Sequence, residues 1–213
     1  MITKTQEQAL TELRIRIRSY MSEKRLSHTL AVEREIASLS GIYAPEDEFS
    51  LRVAALLHDI TKEMPFLRQL QLCEEFGIKY TEDETFTPKI FHARTAEVLI
   101  HRDFSEYAIE EILSPIRWHT TGREKMTTCE ILLFLADYIE DTRTFPSCVE
   151  LRQFFYDGLA AAKDLDDKLK LLRDTIILSF DMTINELVSE KKPIHADTVK
   201  ARNYFVLHGE VKK

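Results

Sequence analysis

Apolar residues recur along most of the chain at the spacing of about 3.6 residues that is typical of amphipathic helices. In the first part of the chain this spacing predicts helices over about 5–21, 25–40 and 46–61. Further helices are predicted over about 65–76, from near Phe91, over 105–113, 115–120, 126–141 and 147–162, from Leu165 to Leu187, and after Pro193. The sequence has no strand pattern longer than a few residues and no repeat at a fixed period. It therefore predicts an all-α fold, a single compact helical bundle with a helical C-terminal extension.

One stretch of the chain carries signals for a break between two helices. Ser114 and Pro115 are typical of an N-cap followed by proline at the first helical position, so we expect one helix to end before Ser114 and another to begin at Pro115. Gly122 follows at the position where a left-handed residue would end the second helix. This interpretation places His119 near a helix end.

Composition and charge support the all-α class and exclude several functions. Only 5 Gly and 6 Pro occur in 213 residues, too few for a β-sandwich or barrel with many turns. The formal net charge is −7 and no cluster of Lys and Arg occurs, so no nucleic acid partner is expected. The longest apolar run, residues 131–136, is far shorter than the roughly 20 residues that span a bilayer, so no membrane association is expected.

The cysteines indicate a reducing compartment. Cys73, Cys129 and Cys148 are odd in number and lack CxxC spacing, which argues against a disulfide framework and against a thiolate zinc site. The first residues also lack the apolar segment of a signal peptide. We therefore expect a cytoplasmic protein.

Two carboxylates stand among apolar neighbours. His58 and Asp59 directly follow the apolar stretch 53–57, and Asp137 interrupts the apolar stretch 131–139. Burying a carboxylate on such a helix costs several kcal/mol unless the group is paired or binds a metal. Each feature also has an alternative interpretation without a metal. His58 and Asp59 could form an ordinary capped helix end, and Asp137 could form a buried salt bridge to an arginine.

Four of the seven histidines lie at the ends of predicted helices, and these are His28, His58, His92 and His119. Taken singly, each is more typical of a structural or surface residue. Taken together, helix ends can converge on one cleft, and imidazole with carboxylate but without thiolate suits Fe, Mn, Co or Zn in an open, catalytic site. His101 and His195 are interpreted as surface or helix-start histidines.

The order of these residues resembles the metal site of the HD superfamily of phosphohydrolases. The matching residues are His28, the pair His58 and Asp59, and Asp137, while His92 and His119 resemble the added ligands of two-metal members. The words HTTGR at 119–123 and LADYIE at 135–140 are similar to those of the YqeK-like family, the symmetrical bis(5′-nucleosyl)-tetraphosphatases. The resemblance extends from about residue 20 to 206. It implies one domain over 1–213, with an HD metal-binding core over about 20–145 and the helical extension over about 146–213.

The resemblance also implies an activity and its cofactors. The expected substrate is the small molecule diadenosine tetraphosphate, cut to two ADP by metal-activated hydroxide, with Asp59 and Lys62 as catalytic residues. Two metal ions are expected, iron first, with Mn, Co or Zn as alternatives. One metal would be bound by His28, His58, Asp59 and Asp137, and the other by Asp59, His92 and His119. A homodimer is a possible assembly.

Four residues are candidates for binding the phosphates of the substrate. Lys62 lies four residues after His58, so on a continuing helix the two would share a face, and its ammonium could stabilise phosphoryl charge. A surface lysine is the alternative. Thr120, Thr121 and Arg123 flank His119 and could contact phosphate, although the threonines could instead cap a turn.

Two other functions remain open at the level of the sequence. The first is another HD phosphohydrolase, such as a nucleotidase or a deoxynucleoside triphosphate hydrolase, which would differ in its products. The second is a helical regulatory protein with a structural metal site. The presence of all six candidate ligands argues against this second alternative.

Overall fold

The computed structural model describes residues 2–209, which contain ten α-helices and no strand, so the predicted all-α class is confirmed. The helices are α1 Lys4–Arg16, α2 Glu23–Tyr43, α3 Glu48–Leu57, α4 Phe66–Glu75, α5 Phe91–Asp103, α6 Glu110–Trp118, α7 Thr128–Ile139, α8 Pro146–Ala161, α9 Leu165–Ser189 and α10 Ala196–His208. Short 3-10 turns lie in several of the connections, including Asp83–Phe86 and Pro88–Ile90 in the predicted loop 79–89. No helix within the described residues is both long and apolar enough to cross a membrane.

Helix α3 lies at the centre of the bundle. Its residues 53–57 are fully buried, and the helix packs chiefly against α2 and α6. Helix α7 also packs against α2 and α6, and it buries residues 131–136. Because the ends of α3 and α7 are anchored in the core, the polar residues at those ends have well-defined positions.

The C-terminal helices pack on one side of this core. Helix α9 packs against α8 and α10, and α7 contacts both α8 and α9. Phe180 of α9 lies against Gly122, where an added Cβ would be 2.6 Å from the Phe180 ring. Gly122 has φ +66°, so its predicted left-handed conformation is confirmed, although α6 ends earlier, with His119 as its C-cap. The turn after His119 accommodates both this backbone conformation and the close approach of α9. The division into a core and an extension stays a prediction.

The predicted helix break at Pro115 is wrong. Helix α6 runs through Pro115, and only a 3-10 turn, Ser105–Tyr107, precedes it in place of the predicted helix 105–113. A proline in a helix interior costs about 3 kcal/mol because it removes a hydrogen bond and crowds the preceding turn. Burial of Ile112, Leu113 and Ile116 on one face offsets this, since each such side chain contributes about 1.5–3 kcal/mol.

The helix predicted over 46–61 ends earlier than expected, at Leu57. Beyond Leu57 the chain continues in tight turns, in which the amide of Ile60 donates to Leu57 O and that of Lys62 donates to Asp59 O. The expected helical spacing between His58 and Lys62 is therefore absent. Instead, Lys62 lies one tight turn after Asp59, to whose carbonyl its amide donates. The imidazole of His58 contributes to this ending, because its Nδ1 donates to Ala55 O at 2.7 Å.

Candidate metal centre

The carboxylate of Asp59 lies between two groups of histidines. The side chain is 1% exposed. Its Oδ2 is 3.7 Å from His28 Nε2 and 3.4 Å from His58 Nε2. Its Oδ1 is 3.2 Å from His92 Nε2 and 3.7 Å from His119 Nε2. One buried carboxylate thus presents a different oxygen to each pair of imidazoles.

We call the Oδ2 side the first cluster, which consists of His28, His58, Asp137 and Asp59 Oδ2. Asp137 Oδ1 lies 3.0 Å from His28 Nε2 and 3.8 Å from His58 Nε2. His28, His58 and Asp137 can offer ligand atoms to a single ion, since these atoms all lie within 4.8 Å of one another.

The second cluster consists of His92, His119 and Asp59 Oδ1. The two Nε2 atoms of His92 and His119 face each other at 2.9 Å. The hydroxyl of Thr120 lies 3.3 Å from each of these nitrogens. His119 is also close enough to His58 and Asp59 to share an ion with them.

Five helices converge to build these two clusters. His28 lies on α2, His92 in the first turn of α5, and Asp137 in the last turn of α7. His58 and His119 are the C-caps of α3 and α6. This convergence of helix ends brings together all six candidate ligands predicted from the sequence.

The outer nitrogens of three imidazoles are fixed by hydrogen bonds. His58 Nδ1 donates to Ala55 O at 2.7 Å, and His119 Nδ1 donates to Ile116 O at 2.6 Å. His28 Nδ1 lies 3.0 Å from Glu140 Oε1. For His58 and His119, such a bond to a backbone carbonyl holds the proton on Nδ1 and orients Nε2 with its lone pair toward the cluster, an arrangement that is typical of metal-binding histidines.

Several polar atoms of the clusters fit a bound cation. Within the described residues, the Nε2 atoms of His28 and His58, and Oδ1 of Asp59, are buried and make no hydrogen bond of regular geometry, although Asp137 Oδ1 lies 3.0 Å from His28 Nε2. Buried polar atoms normally have a partner, and a cation between these atoms would supply one. Burial also lowers the pKa of His92 to about 3, which leaves this imidazole in the neutral form that binds metals. The donor set of imidazole and carboxylate therefore fits a metal ion.

Three basic side chains surround the carboxylates. Arg25 Nη1 donates to Asp59 Oδ2 at 2.6 Å, and Arg143 Nη2 donates to Asp137 Oδ1 at 2.5 Å. Lys62 Nζ lies 3.6 Å from Asp59 Oδ1 and 3.1 Å from His92 Nε2.

These charges keep the two carboxylates ionised. Burial alone would raise the pKa of Asp59, but the neighbouring His58 and Lys62 hold that pKa well below its usual range. The pKa of Asp137 is likewise held low against the effect of burial, by the charge of Arg143. Both groups therefore carry the negative charge that a cation requires.

Of the other three residues predicted to contact phosphate, only Thr120 lies at a cluster. The hydroxyl of Thr120 is at the second cluster, whereas that of Thr121 donates to Gly122 O at 2.9 Å. The guanidinium of Arg123 donates to buried Glu130, with distances of 3.0 and 3.1 Å. Contact of Thr121 and Arg123 with phosphate stays a prediction.

The remaining histidines lie apart from the two clusters. His101 is exposed near the end of α5. His195 is the N-cap of α10, and its Nε2 lies 2.8 Å from Glu84 Oε1. That partner is 111 positions away, so the sequence carried no signal for the pair.

Sequence reasoning assigned no role to Glu140, Arg25 or Arg143. Glu140 is fully buried, and besides His28 it accepts hydrogen bonds from the amide and hydroxyl of Thr142 at 2.6 and 2.8 Å. Its position three residues after Asp137 was the available signal, because that spacing keeps two side chains on one side of a helix end.

The chain is similar to proteins of known name. It is 29% identical over 196 residues to a protein of Halalkalibacterium halodurans named bis(5'-nucleosyl)-tetraphosphatase, symmetrical, with 90% of this chain and 94% of that one covered. A protein of the same name from Staphylococcus aureus is 28% identical, with 87% and 88% covered. The fold resembles the crystal structure of a predicted HD superfamily hydrolase involved in NAD metabolism from Clostridium acetobutylicum, with a TM-score of 0.78, 30% identity, and 92% and 96% of the two chains covered.

A sequence model of the HD domain matches residues 25–142, which is more than half of the chain. This range contains all six candidate ligands of the two clusters. The chain belongs to the HD domain family.

Proposed function

We propose that this protein hydrolyses diadenosine tetraphosphate symmetrically, to two molecules of ADP. One observation carries the proposal: the buried carboxylate of Asp59 presents one oxygen to each of two histidine clusters. Two relatives that align along 90% and 87% of this chain are named for the symmetrical activity, which supports the choice of substrate.

We infer two cations per chain, one in each cluster, with iron expected first and manganese, cobalt or zinc as alternatives. The first would be held by His28, His58, Asp137 and Asp59, and the second by His92, His119 and Asp59. Cations held there supply Lewis-acid chemistry, which favours attack of water on a phosphorus atom. They also give an acidic protein, of net charge −7, a local positive site for a polyphosphate.

The reaction breaks the central anhydride of the substrate. The oxygen of one water molecule forms a bond to one of the two inner phosphorus atoms, and the bond from that atom to the central bridging oxygen breaks. The bridging oxygen leaves with the other half, so that each half becomes ADP. ADP is a good leaving group, and no dedicated general acid is assigned.

Lys62 and Thr120 are placed to act on the phosphates. Lys62 Nζ is 3.1 Å from His92 Nε2, at the second cluster, and among residues 2–209 it forms an ion pair only with Asp59. Once cations neutralise Asp59, this ammonium is available to stabilise charge on the phosphoryl oxygens. The Thr120 hydroxyl can donate a hydrogen bond to the same oxygens.

The products of the reaction test the proposal. The protein is purified without chelator and incubated with diadenosine tetraphosphate and, separately, with a panel of mononucleotides, and the products are separated by chromatography. We expect ADP alone from the dinucleotide. An Asp59→Asn variant should be inactive. The control Asp141→Asn changes an exposed carboxylate outside the two clusters, directly after Glu140 in the sequence, and should retain activity.

Each other outcome supports a different function. Formation of ATP with AMP would contradict symmetrical cleavage. An intact dinucleotide together with dephosphorylated mononucleotides would support another HD phosphohydrolase. Bound metal without any turnover would support a structural metal site.

We also infer the cytoplasm as the compartment, because Cys73, Cys129 and Cys148 are all free. A homodimer stays a prediction. Both clusters are formed by residues of a single chain, so the proposed site does not require a second copy.

A further inference from the structure

A cavity of about 210 Å³ lies beside the second cluster. Its wall is formed by the chain after α4, by one face of α5 and by the end of α6. Thr120 belongs to this wall, and its hydroxyl is 3.3 Å from the Nε2 atoms of both His92 and His119. The cavity and the second cluster therefore share a side chain.

Much of the wall is apolar or aromatic. Ile78, Ile90, Ala93 and Trp118 contribute to it. Trp118 is half-buried at the end of α6, and it is the only tryptophan of the chain. A cavity with apolar and aromatic walls is suited to a flat ring of low polarity, since such rings gain from burial and from contact with an indole.

The polar part of the wall has a donor without a partner. Arg94 Nη1 is buried and has no hydrogen-bond partner in the part of the chain that the structure describes, although the Nη2 of the same guanidinium donates to Glu84. Glu97, three residues further along α5, belongs to the same wall, where its carboxylate accepts from Arg117 Nε and Nη2 at 3.1 and 3.0 Å. A buried, unpaired donor is costly, and a ligand atom that accepts from it would remove that cost.

The orientation of Arg94 is supported by a second pair of residues. Glu84 accepts from both Arg94 and His195, the N-cap of α10, so the C-terminal part of the chain fixes the loop that holds the guanidinium. Despite burial, which would raise it, the pKa of Glu84 is lowered to about 2 by these two partners, so the carboxylate stays charged. Arg94 Nη1 is thus held in place before any ligand arrives.

We propose that this cavity is the subsite for one purine base of the substrate. The edge of a purine carries a ring nitrogen or a carbonyl that accepts hydrogen bonds, which complements the arginine donor of this wall, and the flat purine ring complements its aromatic part. The phosphate chain attached to that base would pass Thr120 on its way to the second cluster. This inference rests on the proposed function for its substrate class, and it assigns residues that the six-ligand site does not include.

The fluorescence of Trp118 tests the proposal directly, because no other tryptophan contributes to the signal. The metal-loaded protein is titrated with ADP, GDP, CDP and inorganic tripolyphosphate. We expect saturable quenching by ADP and GDP, weaker quenching by CDP, and none by tripolyphosphate at concentrations where competition shows that it binds. Equal quenching by tripolyphosphate and ADP would overturn the base subsite, and equal quenching by CDP and ADP would overturn its assignment to a purine.

A pair of variants on α5 locates the contact. Arg94→Met removes the unpaired donor and should raise the ADP concentration for half-maximal quenching about tenfold, as expected for one hydrogen bond to a charged group. Arg102→Met, an exposed arginine on the same helix and outside the cavity, should leave it unchanged. The affinity for tripolyphosphate should be the same in both variants and in the original protein. An unchanged ADP affinity in Arg94→Met would overturn the role of Arg94, and the titration of the original protein decides the subsite even where this variant fails to fold.

The result is separable from that of the product analysis. Quenching by ADP in a protein that does not cleave the dinucleotide would contradict the proposed function and leave a purine site. Symmetrical cleavage without any purine-dependent change at Trp118 would overturn the subsite and leave the proposed function intact.

Discussion

The two clusters share Asp59 but differ in their charge. The first contains a second carboxylate, Asp137, whereas the second contains two imidazoles and only the Oδ1 oxygen of Asp59. Because each ionised oxygen attracts a cation more strongly than a neutral nitrogen does, we expect the first cluster to hold its metal more tightly.

The clusters differ also in how their imidazoles are supported. His28 in the first cluster is oriented by the buried carboxylate of Glu140, while His92 Nδ1 in the second is buried and has no hydrogen-bond partner among residues 2–209. The second cluster is in turn the one beside Lys62, Thr120 and the cavity. The comparison indicates that the first cluster anchors a metal and that the second, less strongly held metal lies where the substrate binds.

Removal of Asp59 should have the largest effect, because both clusters lose a ligand. In Asp59→Ala, two cations that a bridging carboxylate holds about 3.5–4 Å apart would face their mutual repulsion. We expect loss of both metals by elemental analysis, loss of activity, and a lower Tm, since ions that bind only the folded state stabilise it. A full complement of metal in this variant would contradict a bridging role.

Removal of a second-cluster histidine should have a smaller effect on metal content. His119→Ala deletes one neutral ligand, whose place a water molecule can take, so close to one metal per chain should remain and activity should fall. The decrease in Tm should also be smaller than for Asp59→Ala. If the two variants lose equal metal and equal stability, the distinction between the clusters is wrong.

Replacement of Lys62 should separate chemistry from metal binding. Lys62→Ala should lower turnover by about 10–1000-fold, the scale on which loss of one stabilising donor acts. Metal content should stay unchanged. The control is Lys24→Ala, at an exposed lysine of α2. Unchanged turnover in Lys62→Ala would identify a surface lysine without a role.

The smallest expected effect concerns the support of the first cluster. Glu140→Gln keeps the shape of the side chain but removes the charge that orients His28, so metal affinity of the first cluster should fall by about 10–100-fold. A competition titration with a chelator measures this change, and Asp141→Asn serves as the exposed control. Equal affinity in the two variants would show that Glu140 does not support the metal site.

Local sequence patterns predicted most of the helices and the polar residues that lie at their ends. The apolar stretches 53–57 and 131–136 predict buried helices, and the sequence places a carboxylate directly after each stretch or close to it. Both features can be read from residues that are neighbours along the chain. The same local rules failed at Pro115, where packing of a whole helix face outweighed the preference of one residue. They also missed the early end of α3 at Leu57, next to which His58 Nδ1 donates to Ala55 O.

The side chains that bond to the candidate ligands could be identified only from the three-dimensional structure. Arg25 and Asp59 are 34 positions apart, and His28 and Glu140 are 112 apart, so no spacing along the chain connects them. Apolar neighbours and helix ends singled out the candidate ligands, resemblance to a family assigned them to two metals, and the structure brings these side chains together. Their occupation by metal stays a prediction.

A crystal structure of the metal-loaded protein, with anomalous scattering recorded at the edge of the bound metal, tests the central claim most directly. The account predicts two peaks about 3.5–4 Å apart, with one carboxylate oxygen of Asp59 on each. The peak between His28, His58 and Asp137 should have the higher occupancy after partial chelation. A single peak, or a second peak that Asp59 does not contact, would contradict the account.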